Sequence, residues 1–286
     1  MDKQLEYFEA SALRKKEMMS PNPPNHEYES AWRCYKQENY AEAAELFEKS
    51  AEKYSEAEGS RSLNYAKALY AMGYVCIDLA DEASMKGDKE TEESLCEKKR
   101  KLHSDTLTIY ERQEKTDNQQ TELSILYSDI GSDYHFLKKY TDALEYYQKT
   151  LAIRERVLGG EHQDTAESYN DIGHIYVAQE KYNEALEEYH KARAINERVL
   201  GAAHPQVALD YGNMGCIYEF IGDYDSALEW RLKSYRVAKK YGETEDNLKF
   251  DLAGFHKAYK IVPPRKLFQR PKPLPFEDWL REQLSS

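Results

Sequence analysis

Apolar residues recur along most of the chain with the spacing of amphipathic helices. The segment Thr165–Glu180 shows this clearly, because its small and apolar side chains fall on one helix face at i, i+3, i+4 and i+7. These side chains are Ala166, Tyr169, Ile172, Gly173, Tyr176 and Val177. Gly and Pro are scarce, with 13 and 9 residues, whereas Tyr reaches 24. The pattern predicts an all-α chain of long helices joined by short turns.

The helical pattern repeats every 42 residues. Three segments with a Tyr near the start and a closing Gly align at this spacing, and each is followed by a Tyr-x-x-Ala-Leu motif. The segments are 126–131, 168–173 and 210–215, and the motifs begin at Tyr140, Tyr182 and Tyr224. A fixed period of this length predicts a stack of similar helical units.

The same register extends towards the N-terminus and predicts about five helix-turn-helix units. Gly73 and Ala31 take the glycine position of the two earlier units, but Gly73 and Gly131 are 58 residues apart, so one unit carries 16 extra residues. We expect the extra residues between 81 and 100. The predicted units are 25–65, 66–120, 121–164, 165–206 and 207–247. A short helix with a Pro-rich connector at 1–24 and a closing helix at 248–260 are expected to cap the array.

The repeated residues resemble the tetratricopeptide repeat. Its first helix carries an aromatic, a small residue and a second aromatic, and its second helix carries Ala and an aromatic. The fourth unit matches at Tyr169, Gly173, Tyr176, Ala185, Tyr189 and Ala192. The fifth unit departs at Arg231 and Ser234, and the first at Ala31 and Cys34. The long period and the segments LGGEHQ and LGAAHP are similar to the kinesin-light-chain variety. The resemblance implies an α-solenoid whose first helices line a concave groove.

We predict that this groove is lined by side chains just off the packing stripe of the first helices. They are Tyr70, Tyr74, Ser128, Asp129, Ser132, His135, Phe136, Asn170, Asp171, His174, Asn213, Cys216, Glu219 and Phe220. Acidic, amide and aromatic side chains in these positions are typical of a peptide-binding surface; the alternative is a solvated inner face without a ligand.

The charge of the predicted groove indicates which peptides it takes. Some repeats of this fold hold a C-terminal carboxylate with a Lys/Asn/Arg clamp, but the aligned positions here carry Asp129, Asp171 and Asn213. The groove is therefore expected to hold a basic or neutral segment. Replacing both Asp129 and Asp171 by Lys is expected to abolish binding without unfolding the array.

Composition narrows the partners and the compartment. A net charge of −12 argues against nucleic acid or an anionic membrane as the main partner. No run approaches the ~20 apolar residues that span a bilayer, and the first residues lack the apolar stretch of a secretory signal. The four cysteines form no C-x-x-C pair, which is typical of free thiols in a reducing compartment. We expect a cytoplasmic protein.

Catalytic, metal and cofactor chemistry is not expected. His135 and His174 lie one unit apart, and equivalent positions of packed helices are about 8–10 Å apart, too far to share a metal at ~2.3 Å. No nucleophile, phosphate-loop or zinc motif occurs, and Cys216 reads as a packed thiol. His162 and His204 are expected to shape equivalent turns. The sequence predicts a non-catalytic adaptor or scaffold for a protein or peptide; the alternative is a regulatory sensor that changes shape on binding a small peptide or effector.

The segment 261–286 differs from the repeats. Residues 261–275 hold five prolines and four basic residues without an acid, and 276–284 have the pattern of a short amphipathic helix. The first part is expected to be extended. The segment is expected to dock within the chain, on the outer face or last repeat; the alternatives are entry of its basic part into the acidic groove and recognition by another protein.

Overall fold

The regular structure of this chain is helical. The computed structural model describes residues 19–113 and 115–240, and within these ranges it contains ten α-helices and no strand. They are α1 (His26–Lys36), α2 (Tyr40–Glu58), α3 (Leu63–Met85), α4 (Lys89–Glu111), α5 (Asp117–Phe136), α6 (Tyr140–Val157), α7 (Gln163–Ala178), α8 (Tyr182–Leu200), α9 (Pro205–Ile221) and α10 (Tyr224–Lys240). Each odd-numbered helix packs against the next one across a short turn. The predicted all-α fold with five helix-turn-helix units is confirmed.

Both predicted caps fall largely outside the described residues. The closing helix at 248–260 and the docking of the segment 261–286 lie outside them entirely, so they stay predictions. Of the predicted N-terminal helix the structure describes Met19 alone, and this side chain is buried against the first hairpin.

Helix starts follow from local capping. The side chains of Asn25, Ser62 and Thr116 each accept a backbone N–H from the first turn of the following helix. His162 and His204 take the same role before α7 and α9, where each Nδ1 accepts the N–H two residues on at 3.1 Å. Burial lowers the pKa of His204, which keeps its ring neutral and able to accept. The two histidines therefore shape equivalent turns, as their spacing predicts.

The chain divides into two compact units, the N-terminal unit within Phe8–Val157 and the C-terminal unit within Leu158–Ser286. In the N-terminal unit the first helices of the hairpins, α1, α3 and α5, lie side by side. The Tyr35 hydroxyl of α1 donates to Asp78 of α3 at 2.6 Å, and the Lys67 ammonium of α3 donates to Glu122 of α5 at 2.7 Å. We call these helices the first-helix layer of the unit.

Small residues on the first helices let the second helices approach closely. A Cβ at Gly131 would lie 3.0 Å from the Tyr147 ring, and one at Gly73 would lie 2.7 Å from Nε2 of His103. These distances place Tyr147 and His103 at equivalent positions of α6 and α4. The register of the repeat is therefore fixed by this packing contact.

The extra residues of the second hairpin lengthen both of its helices. α3 and α4 have 23 residues each and meet in a turn at Gly87, which has φ 73°. The interval from Gly73 to His103 is 30 residues, against 16 from Gly131 to Tyr147, so 14 extra residues fall before His103. This is about two helical turns for each helix. The hairpin is thus extended at its tip.

The C-terminal unit repeats the same packing with two hairpins, α7–α8 and α9–α10. A Cβ at Gly173 would lie 2.7 Å from the Tyr189 ring. Its first-helix layer consists of α7 and α9, which are joined by a hydrogen bond of 2.8 Å from Asn170 Nδ2 to Asp210 Oδ1.

Candidate functional site

Tyr70 is a packing residue of the N-terminal unit and does not face solvent. Its side chain is 1% exposed and stacks on the His103 ring at a centroid distance of 5.5 Å. Its hydroxyl donates to Asp129 Oδ2 at 2.6 Å, with the Tyr74 hydroxyl 3.1 Å away. Burial raises the pKa of Tyr70, and the Asp129 carboxylate raises it further. The prediction that Tyr70 lines an open groove is corrected, because the neighbouring first helix covers it.

The remaining predicted site residues of this unit reach the surface to different degrees. Tyr74, Ser128, Asp129 and His135 are half-buried, and Ser132 and Phe136 are exposed. Phe136 is 78% exposed, which is unusual for a large apolar side chain. Asp129 is not an isolated acid, because it accepts the Tyr70 hydrogen bond.

Asn170 is likewise buried in the C-terminal unit. It is 6% exposed and donates to Asp210, which is fully buried and also accepts from Asn196 Nδ2 at 2.7 Å. The prediction that Asn170 grips a ligand is corrected, since its amide joins α7 to α9. The sequence carried a signal for this network: Asp210 occupies the position of Leu126 and Ser168 in the aligned segments, and both are fully buried.

The buried carboxyl of Asp210 predicts a pH dependence of stability. Burial raises the pKa of Asp210, and the hydrogen bonds from Asn196, Asn170 and Gln206 offset this only in part. A raised carboxyl pKa means that the folded unit binds the proton more readily than the unfolded chain. The resulting stabilisation is complete below the unfolded value and is lost as the pH rises through the folded value.

We therefore expect Asp210→Asn to gain stability relative to the wild type as the pH rises from 4 to 7. The measurement is the free energy of urea unfolding at several pH values, with Glu187→Gln on the exposed face of α8 as the control. A wild-type–variant difference that stays constant with pH, or that changes in the opposite direction, would contradict the assignment.

Arg231, which departs from the repeat pattern, contacts both Cys216 and Glu219. Arg231 packs its Cγ against Gly215, where the other C-terminal hairpin has a Tyr ring. Its Nε donates to Glu219 Oε1, and its NH2 group lies 3.3 Å from Cys216 Sγ. The charge of Glu219 is therefore compensated within the hairpin.

The other predicted residues of the C-terminal unit remain accessible. His174 is exposed and Asp171 and Asn213 are half-buried. Phe220 is 61% exposed and stacks on Tyr182 of α8, with ring centroids 5.3 Å apart and an interplanar angle of 9°. An exposed stacked pair of this kind offers a flat apolar surface to a ligand.

Within residues 19–113 and 115–240, no group of three or more His, Cys, Asp or Glu side chains is arranged to hold a metal ion. Over the same ranges, no helix combines the length and the apolar character needed to cross a membrane.

The repeat geometry agrees with a family model. The model of the tetratricopeptide repeat matches residues 122–187 and 164–240, which include the Gly–Tyr contacts at Gly131 and Gly173. Residues 122–240 are tetratricopeptide repeats. Its repeats are similar to those of kinesin light chains, as the 42-residue period predicts.

Several solved structures share this fold. BtubC (BKLC) from P. vanneervenii is 21% identical, with a TM-score of 0.58 over 78% of this chain and 83% of that chain. A candidate kinesin light chain of Podospora anserina with nearly identical TPR-like repeats is 16% identical, with a TM-score of 0.59 over 76% of this chain and 96% of that chain. A Rap protein in complex with competence and sporulation factor is 17% identical, with a TM-score of 0.54 over 91% of this chain and 67% of that chain. No match was found among curated proteins.

Proposed function

We propose that this tetratricopeptide-repeat protein is a non-catalytic adaptor that binds a basic or neutral peptide segment through the first-helix layer of its units. The observation that carries the proposal is an exposed aromatic at the same repeat position in both units. Phe136 ends α5 and Phe220 lies near the end of α9, 84 residues apart, or two repeat periods. Each Phe is followed by another exposed apolar residue, Leu137 or Ile221, and contiguous exposed apolar patches favour a binding role.

Polar groups beside these aromatics suit an extended peptide. Ser132 lies on α5 with Phe136, Asn213 lies on α9 with Phe220, and His174 lies on α7; all three carry hydrogen-bond donors and acceptors. An extended backbone needs such partners, because its own N–H and C=O groups are unpaired. Aromatic pockets with a few polar groups beside them are the usual arrangement of a peptide-binding surface.

The charge preference rests on Asp129 and Asp171. Glu219 contributes little net charge, since Arg231 pairs with it. Asp129 and Asp171 are acidic residues at half-buried positions of α5 and α7, where a cationic side chain gains more than at a fully solvated site. A basic or neutral segment fits these positions better than an acidic one.

The similarity to a Rap protein solved with competence and sporulation factor supports a protein or peptide as the partner. That structure shares the fold at low identity, so the comparison bears on what the scaffold can hold and not on which ligand this chain selects.

Direct binding to synthetic peptides tests the proposal. Labelled peptides of about 12 residues, each with two Phe or Leu residues and a basic, neutral or acidic charge pattern, are titrated against the full chain by fluorescence anisotropy. We expect the basic and neutral sets to bind, and Phe220→Ala and Asp171→Lys each to weaken the basic set about tenfold. Asp129 is changed to Asn, which keeps an acceptor for the Tyr70 hydroxyl, because Lys there would also disturb a buried contact.

The matched control is Glu187→Lys, which makes the same charge change at an exposed position of the second helix α8. It is expected to leave peptide binding unchanged. Tightest binding of the acidic peptides, or equal loss in Glu187→Lys and Asp171→Lys, would refute the proposal.

The second candidate is a regulatory sensor that changes shape on binding a small peptide or effector. The Rap similarity favours it, because that structure has this fold and holds a bound factor. Small-angle scattering with and without the best-binding peptide separates the two: a compact bound form indicates a sensor, and an unchanged radius of gyration indicates an adaptor.

A further inference from the structure

The extended second hairpin carries charged residues at positions that are apolar in the other hairpins. In α4, His103 takes the place of the Tyr ring that packs on the glycine in other hairpins. Arg100 lies three residues before it and Lys99 four residues before it. The same two positions hold Leu and Ala in the last three hairpins. They are Ala143 and Leu144, Ala185 and Leu186, and Ala227 and Leu228.

Main-chain contacts confirm this register. Thr106 of α4 donates to the carbonyl of Ala66, as Thr150 of α6 does to that of Ser124. Each threonine lies three residues after the His or Tyr that packs on the glycine. Lys99 therefore occupies a core position of the repeat and Arg100 the half-buried apolar position next to it, and neither is displaced by the insertion.

A fourth polar residue faces them from α5. Asp133 lies two residues after Gly131, where the second, fourth and fifth units have Val75, Ile175 and Ile217, each at most 1% exposed. Lys99 Nζ donates to Asp133 Oδ1 at 2.7 Å, and His103 Nδ1 lies 3.4 Å from Oδ2. Burial raises the pKa of Asp133, but His103 and Lys99 more than offset it, so the pKa lies below its usual value. Asp133 is thus an anion that Lys99 already compensates.

Arg100 and Asp133 line a partly open cavity of about 250 Å³ between α4, α5 and α6 of the N-terminal unit. Its polar wall holds Arg100, Asp133 and Lys139. Lys139 lies in the turn between α5 and α6. No ion pair of Arg100 or Lys139 is formed among the described residues. Because Lys99 compensates the charge of Asp133, the net charge of the cavity lining comes from Arg100 and Lys139.

Apart from Ser104, the rest of the lining is apolar or aromatic. Leu107 and Ile130 are buried, and Leu137 is 39% exposed at the rim. The rings of Tyr134 and Tyr146 are stacked, with centroids 5.4 Å apart and an interplanar angle of 12°. The cavity therefore combines flat apolar walls with a cationic side.

The buried polar atoms beside the cavity are not fully paired. Asp133 Oδ2 and His103 Nδ1 are buried and make no hydrogen bond of acceptable geometry within the described residues. These two atoms face each other at 3.4 Å as an ion pair of poor geometry. The cluster of Lys99, His103 and Asp133 therefore compensates its own charges.

We infer that this cavity is a binding site for a small organic anion with an apolar body, such as an aryl or alkyl carboxylate or phosphate ester. Arg100 and Lys139 pair with the anionic group, since a guanidinium binds carboxylate and phosphate oxygens in a bidentate manner. The tyrosine pair and the aliphatic side chains enclose the apolar body. Lys99 and His103 contact Asp133 and compensate its charge, which leaves the positive charges of Arg100 and Lys139 available to the anion.

Ligand-observed NMR on the full chain tests this site with phenylacetate and phenyl phosphate, and with benzyl alcohol as their neutral analogue. The two anions distinguish a carboxylate ligand from a phosphate ligand. A ligand with about ten non-hydrogen atoms is expected to reach a Kd on the order of 1 mM. We expect at least one anion to bind with this affinity and benzyl alcohol to bind at least about tenfold more weakly.

Arg100→Leu is the decisive variant, because it restores the residue of the last three hairpins and should fold at least as well as the wild type. It is expected to lose about tenfold in anion affinity, whereas Arg112→Leu, which removes the same charge at the exposed end of α4, should retain it. Lys139→Ala provides a second variant at an exposed position. Neither change is expected to alter peptide binding on the first helices, so the two proposals fail separately.

Three results would overturn the inference: no binding of either anion up to about ten times the expected Kd, equal affinity for benzyl alcohol, or undiminished anion binding by folded Arg100→Leu. Circular dichroism melting establishes that each variant is folded.

Discussion

Lys67→Met is expected to lower the free energy of unfolding of the N-terminal unit by about 3–5 kcal/mol. Lys67 of α3 and Glu122 of α5 form an ion pair of 2.7 Å whose side chains are 10% and 2% exposed. Removing the cation leaves a buried carboxylate whose other partners, the Tyr110 hydroxyl and the Asn118 amide, carry no charge. The desolvation of Glu122 is then no longer offset.

The matched control is Lys86→Met. Lys86 also pairs with a Glu, but this residue, Glu82, lies four residues earlier at the same end of α3. The side chains of Lys86 and Glu82 are 73% and 43% exposed. A surface pair of this kind contributes roughly 0–1 kcal/mol. Urea unfolding followed by circular dichroism measures both variants. Similar losses for Lys67→Met and Lys86→Met would mean that the buried pair does not hold α3 to α5.

Gly173→Ala is expected to destabilise the C-terminal unit by about 1–2 kcal/mol, although alanine is the better helix former by ~1 kcal/mol. A Cβ at this position would lie 2.7, 3.0 and 3.1 Å from three carbons of the Tyr189 ring. That ring is 2% exposed and also contacts His174, so it has no free space into which to move. Overpacking a rigid contact costs more than the gain in helix propensity.

Gly212→Ala in the neighbouring first helix provides the comparison. Its nearest neighbour would be Ser234 Oγ at 3.7 Å, an ordinary contact, so the variant should gain about 0.5–1 kcal/mol. Thermal melts of the two variants side by side separate packing from propensity. Stabilisation by Gly173→Ala would show that the close approach of α8 to α7 is not required.

The sequence predicted the surface of the site less well than the fold. Of the fourteen predicted groove residues, Phe136 and Phe220 are strongly exposed, whereas Tyr70 and Asn170 are buried. The periodicity places all four on the first helices near the packing stripe, but it does not specify what covers them. Tyr70 and Asn170 are covered because a carboxylate on the next first helix, Asp129 or Asp210, accepts their hydrogen bonds.

The sequence by itself determined the repeat, its five hairpins and the packing of aromatic rings on glycines. The physical reason is that these features depend on residues within one unit: a missing Cβ, an Ala four residues before the ring, and a period that recurs every 42 residues. These features recur from unit to unit, so the repeat can be recognised even where other residues differ between units.

Only the tertiary structure decided which polar residues are buried between helices and which remain accessible to solvent. Lys67 meets Glu122 across 55 residues, and Lys99 meets Asp133 across 34 residues. Such pairs join different hairpins, and the insertion in the second hairpin shifts their spacing away from the repeat period. The burial of a charged group depends on the three-dimensional contact that compensates it, and no periodicity within one unit records that contact.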